Sequence, residues 1–145
     1  MIKGMDHVGI SVANLERSLH FYGELLGMNV LAVETFAGAQ YEAILALDGA
    51  TGKVALLKRG SLQIELFEFA QPSPAALDPE RPVCHHGITH FCFEVSDIDG
   101  EYARLKTAGV PFHCAPLLFG DSTKATYGRD PDGNVFEMFE TLGLG

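Results

Sequence analysis

Apolar and polar residues alternate from the first strand-like run of the chain. Val8, Ile10 and Val12 fall on one face and His7, Gly9 and Ser11 on the other, a period of two that predicts a strand. After Asn14 the period lengthens. Leu15, Leu19, Tyr22 and Leu26 form one apolar stripe, with Asn14 placed to cap the helix and Gly27 to stop it. Runs near Val30–Phe36, Tyr41–Leu47, Val54–Leu57 and Leu62–Phe69, separated by Gly and Asp turns, are expected as strands. The pattern then starts again. His90 and Cys92 share a face opposite Phe91, Phe93 and Val95. Ser96, with Asp99 three residues on, is expected to cap a second helix, whose stripe is Ile98, Tyr102 and Leu105 and whose stop is Gly109. Strands are expected near Phe112–Ala115, Thr123–Arg129 and Val135–Thr141.

The recurrence is visible in the letters as well. MDHVGISVANLERSLHFYGELLG (residues 5–27) has a counterpart in ITHFCFEVSDIDGEYARLKTAG (88–109), and IELFE (64–68) has one in FEMFE (136–140). Two echoes in matching order indicate a repeated unit of strand, helix and about three strands. The expected organisation is α+β: a βαβββ module over residues 1–69, a connector over 70–86 with four of the seven prolines, and a second βαβββ module over 87–145. Neither module is large enough to bury its own face, so the two mixed sheets are expected to form one structural domain.

Composition narrows the function. The 145 residues are 47% hydrophobic and 20% charged, as in a globular domain. A net charge of −9 argues against nucleic acid and against an anionic membrane surface as partners. No apolar run approaches the length of a membrane span, and the start lacks the features of a signal peptide. Three widely spaced cysteines, Cys84, Cys92 and Cys114, read as reduced, partly buried thiols of a cytoplasmic protein, without a disulfide framework or a Cys-based zinc site.

Superposing the repeats gives His7 the role of His90, and Glu65 the role of Glu137. If a local two-fold axis relates the modules, these four side chains converge on it. Two imidazoles and two carboxylates form a ligand set for a divalent first-row metal ion, and two close carboxylates need a cation between them. Glu65 shares a strand face with Phe67 and Phe69, and Glu137 shares one with Phe139, so apolar walls are expected around the polar base. The alternative for each residue alone is a structural histidine or a surface carboxylate, with Glu68 and Glu140 as outward charges. His20, His85, His86 and His113 are expected to play ordinary roles.

The segments MDHVGISVANLERSLHFYGELLGM, SLQIELFEF, GITHFCFEVSDIDGEYARLKTAGVPF and DPDGNVFEMFE resemble the vicinal oxygen chelate superfamily across essentially the whole chain. That superfamily includes glyoxalase I, methylmalonyl-CoA epimerase, extradiol dioxygenases and the fosfomycin and bleomycin resistance proteins. The resemblance implies paired βαβββ modules forming a cleft around a metal, with His7, Glu65, His90 and Glu137 as the ligands. It also implies a homodimer acting on a small molecule. A set of four ligands looks like glyoxalase I and the epimerase. It implies one divalent ion (Zn, Ni, Co or Mn) and a lyase or isomerase that moves a proton on the carbon next to a carbonyl or enolate oxygen, with Glu137 or Glu65 as the base. TYGRDPDGNVFE also resembles the extradiol pattern, which would make the protein an Fe(II) ring-cleaving dioxygenase with Tyr127 as a catalytic residue and His7, His90 and Glu137 as the triad. That pattern expects an apolar residue where Thr126 stands and a histidine within 118–123, where none occurs. Further alternatives are a metal-free antibiotic-binding protein and a thiol transferase of the fosfomycin-resistance type. Lys124 and Arg129 are the expected contacts for an anionic substrate.

Overall fold

The computed structural model describes residues 1–143 and divides into two compact units, Met1–Ala76 and a second from Leu77 onward. Leu144 and Gly145, the end of the expected second module, lie outside the described residues. Both units are α+β.

The first unit runs β1 (Val8–Ser11), α1 (Leu15–Leu19, continued by a π-helical turn over His20–Leu25), β2 (Asn29–Phe36), α2 (Ala39–Leu45), β3 (Thr51–Arg59) and β4 (Leu62–Gln71). The sheet order is β1-β4-β3-β2, with β1 parallel to β4 and the other pairs antiparallel. Helix α1 packs on β3 and β4. Under it lie the buried side chains Ile10, Val12, Leu15, Tyr22, Ala55, Leu57, Ile64 and Leu66, which are the apolar sets of the strand and helix periods brought together. The Asn14 side chain accepts a hydrogen bond from the Arg17 N–H at 2.8 Å, and Gly27 ends the helix at φ +69°, as the sequence indicates.

The second unit runs β5 (Phe91–Glu94), α3 (Ile98–Thr107), β6 (Leu117–Phe119), β7 (Thr123–Arg129) and β8 (Val135–Thr141), in the order β5-β8-β7-β6 with β5 parallel to β8. Ile98, Leu105, Val110, Ala125, Val135, Phe136 and Met138 are buried. The stretch expected as the connector is held in part by hydrogen bonds and packing. Arg129 donates to the Arg81 carbonyl at 3.0 Å, Arg81 donates to the Ile88 carbonyl at 3.3 Å, and Pro79 packs on Gly133 so closely that a Cβ there would meet its backbone at 2.3 Å.

Four sequence expectations are corrected. Tyr41–Leu47 is not a strand but lies largely in helix α2. Ala39, Gln40, Ala43 and Leu45 are strong helix formers, and Tyr41 with Leu45 gives an i,i+4 half-buried edge that an apparent period of two disguises. Phe112–Ala115 makes only an isolated bridge, Phe112 to Gly128, and the edge strand falls at Leu117–Phe119. The cap of α3 is Asp97, which accepts from the Gly100 N–H at 3.0 Å, rather than Ser96. All three cysteines are free but exposed, not partly buried. No described helix is long and apolar enough to cross a membrane.

Candidate functional site

The two units build the same local device from the same register. In the first, Gly9 pairs with Glu65 across parallel strands, so His7, two residues earlier on the same face, reaches the carboxylate. His7 Nε2 lies 3.2 Å from Glu65 Oε2. In the second, Cys92 pairs with Glu137, His90 stands two residues before it, and His90 Nε2 lies 3.0 Å from Glu137 Oε2. The four expected ligands thus fall into two pairs, one in each unit. Among the described residues no group of three or more His, Cys, Asp or Glu is gathered as a metal would need.

The donor chemistry of each pair suits a divalent ion. Two N or O donors bound at about 2.1 Å and about 90–100° apart stand roughly 3.0–3.2 Å from each other, the separation found in both pairs. Without an ion, a ring N–H donates to the carboxylate across the same gap. A neutral imidazole and a carboxylate are the ligand forms a metal requires, and neither needs a nearby thiolate.

The other glutamate of each echo does different work. Glu68 accepts a hydrogen bond from the Leu15 N–H at 2.5 Å, and Glu140 accepts one from the Ile98 N–H at 3.1 Å. Both were expected as outward charges. Strand alternation instead turns them to the helix side, where they satisfy the first free N–H of α1 and α3 and place a negative charge at the positive helix end. Each Glu-X-X-Glu run therefore sends one carboxylate to the His face and one to the helix.

Around Glu65, the same face carries an aromatic cluster. Phe36 contacts Tyr41, Phe67 and Phe69 with ring centroids at 5.2, 5.7 and 5.4 Å. Around Glu137, the cross-strand neighbour is Tyr127, whose ring lies 4.6 Å from that of His90 and 6.1 Å from that of His113. Glu137 and Tyr127 line a cavity of about 430 Å³ with apolar walls from Leu117, Phe119, Ala125 and Phe139. His113 and Cys114 also line it; sequence reasoning assigned them no role, and only their place after the second helix signals it.

Loss of hydration, then the charge of Glu137, raises the Tyr127 phenol above its ordinary value, so it stays protonated. The Cys92 thiol is pushed up to about 12, first by desolvation and then by the charge and hydrogen bond of Glu137, which leaves it a poor nucleophile. His7 is raised, chiefly by its hydrogen bond to Asp6 and against a desolvation that lowers it. The cations expected near a substrate are engaged elsewhere. Lys124 forms an ion pair with Asp99, and Arg129 donates to the carbonyls of Gly133 and Arg81 at 2.9 and 3.0 Å.

The sequence model of the Glyoxalase/Bleomycin resistance protein/Dioxygenase superfamily matches residues 4–138. The uncharacterized protein YaeR of Escherichia coli is 31% identical over 143 residues, spanning 96% of this chain and 97% of that protein. The lactoylglutathione lyase of Schizosaccharomyces pombe is 28% identical over 145 residues, an alignment that takes in 92% of this chain but 46% of the yeast enzyme. Among solved structures, a glyoxalase family protein from Bacillus cereus superposes with a TM-score of 0.91 at 26% identity, covering 99% of this chain and 97% of the other.

Proposed function

Since the chain belongs to the Glyoxalase/Bleomycin resistance protein/Dioxygenase superfamily, we propose that it is a divalent-metal-dependent lyase or isomerase. In this reading it moves a proton on the carbon next to a carbonyl of a small-molecule substrate, with His7, Glu65, His90 and Glu137 as the metal ligands. The observation that carries the reading is the repeated His–Glu contact, at 3.2 and 3.0 Å, set by one register in both units. When bound, the ion (Zn, Ni, Co or Mn) acts as a Lewis acid that stabilises negative charge developing on an oxygen.

The chain's own residues do the rest. Glu137 lines the cavity, so its carboxylate is the base that takes the proton from the substrate carbon and returns it. The apolar walls of Leu117, Phe119 and Phe139 receive the uncharged part of the substrate. Tyr127, protonated and beside Glu137, is the hydrogen-bond donor that the cavity wall offers to a substrate oxygen. The reading includes the homodimer that the resemblance implies, which light scattering checks.

A second reading, an Fe(II) ring-cleaving dioxygenase, is favoured by one observation: Tyr127 stands between His90 and His113 and opposite Glu137. Elemental analysis of the purified protein separates the two. About one equivalent of Zn, Ni, Co or Mn per chain, with solvent deuterium entering a hemithioacetal or 2-acyl thioester, supports the proton-transfer enzyme. A full complement of Fe(II) with oxygen uptake on catechols supports the dioxygenase. Absence of metal before and after reconstitution overturns both.

A further inference from the structure

The strands around Glu137 stack the side chains of their open face in rungs. Tyr127 pairs with Glu137; two residues along, Leu117, Ala125 and Phe139 pair across three strands. Phe119 pairs with Thr123 one rung further out. Successive rungs on one face are about 7 Å apart along a strand. The cavity of about 430 Å³ is lined by all three, with Glu137 and Tyr127 at its polar end.

The same register in the first unit aligns Glu34, Val54 and Phe67. There the edge strand brings a carboxylate to the rung, and Val54 fills its middle. In the second unit the edge residue is Leu117 and the middle one is Ala125, two carbons smaller than valine, so the rung is wholly apolar and shallow at its centre.

Among the described lining residues there is no Lys or Arg. Lys124 lies on the other face of β7 and pairs with Asp99. Arg129 shares the face of Tyr127, but both its terminal nitrogens donate to backbone carbonyls, those of Gly133 and Arg81. Burial, and after it the Arg129 charge, hold His113 below its ordinary value, so near neutral pH it brings no full positive charge. An anion seated at this rung is desolvated without a partner, whereas an apolar group gains by leaving water.

We propose that Leu117, Ala125 and Phe139 determine specificity in the reaction proposed above. They take an uncharged, branched or ring-shaped apolar group that the substrate carries one rung away from its reacting carbon, and they exclude a carboxylate, sulfonate or phosphate at that place. The inference rests on the reading of Glu137 as the base, which sets the reacting end of the cavity. Ala125 sets the depth of the rung, and Leu117 sets the charge its edge allows.

The test is the binding of two probes of matched shape to the full-length protein without added metal, followed by amide and methyl chemical shifts. One probe, para-isopropylacetophenone, carries a ketone for the Tyr127–Glu137 end and a branched apolar group opposite it. The other, para-acetylbenzoate, has a carboxylate in place of that group. Wild-type protein should bind the isopropyl probe at least about tenfold more tightly, with the largest shifts at Leu117, Ala125 and Phe139. Ala125→Leu, which fills the rung, should weaken that probe about tenfold. Leu117→Lys, at an edge position 53% exposed, should narrow or reverse the preference by offering the carboxylate a partner.

Equal affinity for the two probes, tighter wild-type binding of para-acetylbenzoate, no binding of either, or shifts confined to the first unit overturns the proposal. So does an unchanged preference in Leu117→Lys, which decides the matter even if Ala125→Leu fails to fold. A protein that takes up no divalent ion but keeps the preference overturns the functional reading and leaves the rung as a binding site. A metal-loaded protein without the preference overturns the rung alone.

Discussion

The two units use one scaffold and surround its central pair differently. In the first, the side chains of His7 and Glu65 are 41% and 30% exposed, whereas in the second those of His90 and Glu137 are 26% and 17% exposed. The residue opposite Glu65 on the next strand is Leu56, and its equivalent opposite Glu137 is Tyr127. The first unit fills the rest of that face with packed aromatic rings and inserts helix α2, which has no counterpart in the second. The second leaves a cavity. What the halves share is backbone register and helix capping; what differs is the residue that stands opposite the glutamate and how far the His–Glu pair is exposed.

The largest expected effect tests that asymmetry directly. Glu137→Gln should lower turnover by about 10²–10⁴, the range for removing a general base, with the fold intact by circular dichroism. Glu65→Gln, which alters a carboxylate outside the cavity lining of the second unit, should lower metal affinity more than it lowers turnover of the metal-saturated enzyme. Equal losses of turnover in the two variants would mean that the pairs are interchangeable and that the cavity does not choose the base.

The helix side of each sheet provides the next contrast. The buried pair Leu57–Ile64 of the first unit corresponds to Gly128–Phe136 in the second, so bulk has moved from one strand to its neighbour. Leu57→Ala should cost about 2–5 kcal/mol by leaving a cavity. Gly128→Ala should cost about 1–3 kcal/mol for the opposite reason: its Cβ would meet the Phe136 ring at 2.6 Å and Phe112 at 3.1 Å. Urea unfolding of both variants checks the pair. A neutral or stabilising Gly128→Ala would show that Phe136 can repack.

Most of this scaffold is legible in the sequence because it depends on strict periods. Residues Val8 to Val12 and Val135 to Thr141 alternate over enough positions to fix which side chains face a helix, and Asn14, Gly27 and Gly109 mark helix ends with side-chain or backbone chemistry. Parity and repetition also mark His7 with His90 and Glu65 with Glu137 as equivalent positions, but the contacts within each unit, His7 to Glu65 and His90 to Glu137, are not visible in the sequence. What escaped was set by tertiary context. Helix α2 was read as a strand because seven residues are too few to separate the two periods. Glu68 and Glu140 were expected as outward charges because nothing local shows that an incoming helix end will meet them. Lys124 carries no mark of Asp99, 25 residues away in the chain.

Those capping glutamates give a smaller effect. Glu68→Gln and Glu140→Gln should each cost about 0.5–2 kcal/mol, in line with other caps, because an amide oxygen still accepts from the helix N–H but without the charge that favours the helix start. Denaturation midpoints of the two variants in the same buffer check this, and an unchanged midpoint in either would mean that its glutamate does not stabilise the helix start.

The smallest effect concerns His113, on the wall of the cavity and without an equivalent in the first unit. Burial, and after it the Arg129 guanidinium, hold its imidazole below the ordinary value of 6.5. The unfolded chain therefore takes up the proton first as pH falls. Folding is unaffected by this group above about pH 6.5, where the ring is neutral in both states, and loses stability below it as the unfolded state gains protons that the folded state resists. His113→Asn should remove that loss, so the difference in unfolding midpoint between variant and wild type should change in the variant's favour between pH 7.5 and pH 5.5, values that bracket the ordinary histidine range. A constant difference across that interval would mean that the ring titrates in the folded protein as it does in water, and that the cavity wall is wetter around His113 than its packing against Tyr127 indicates.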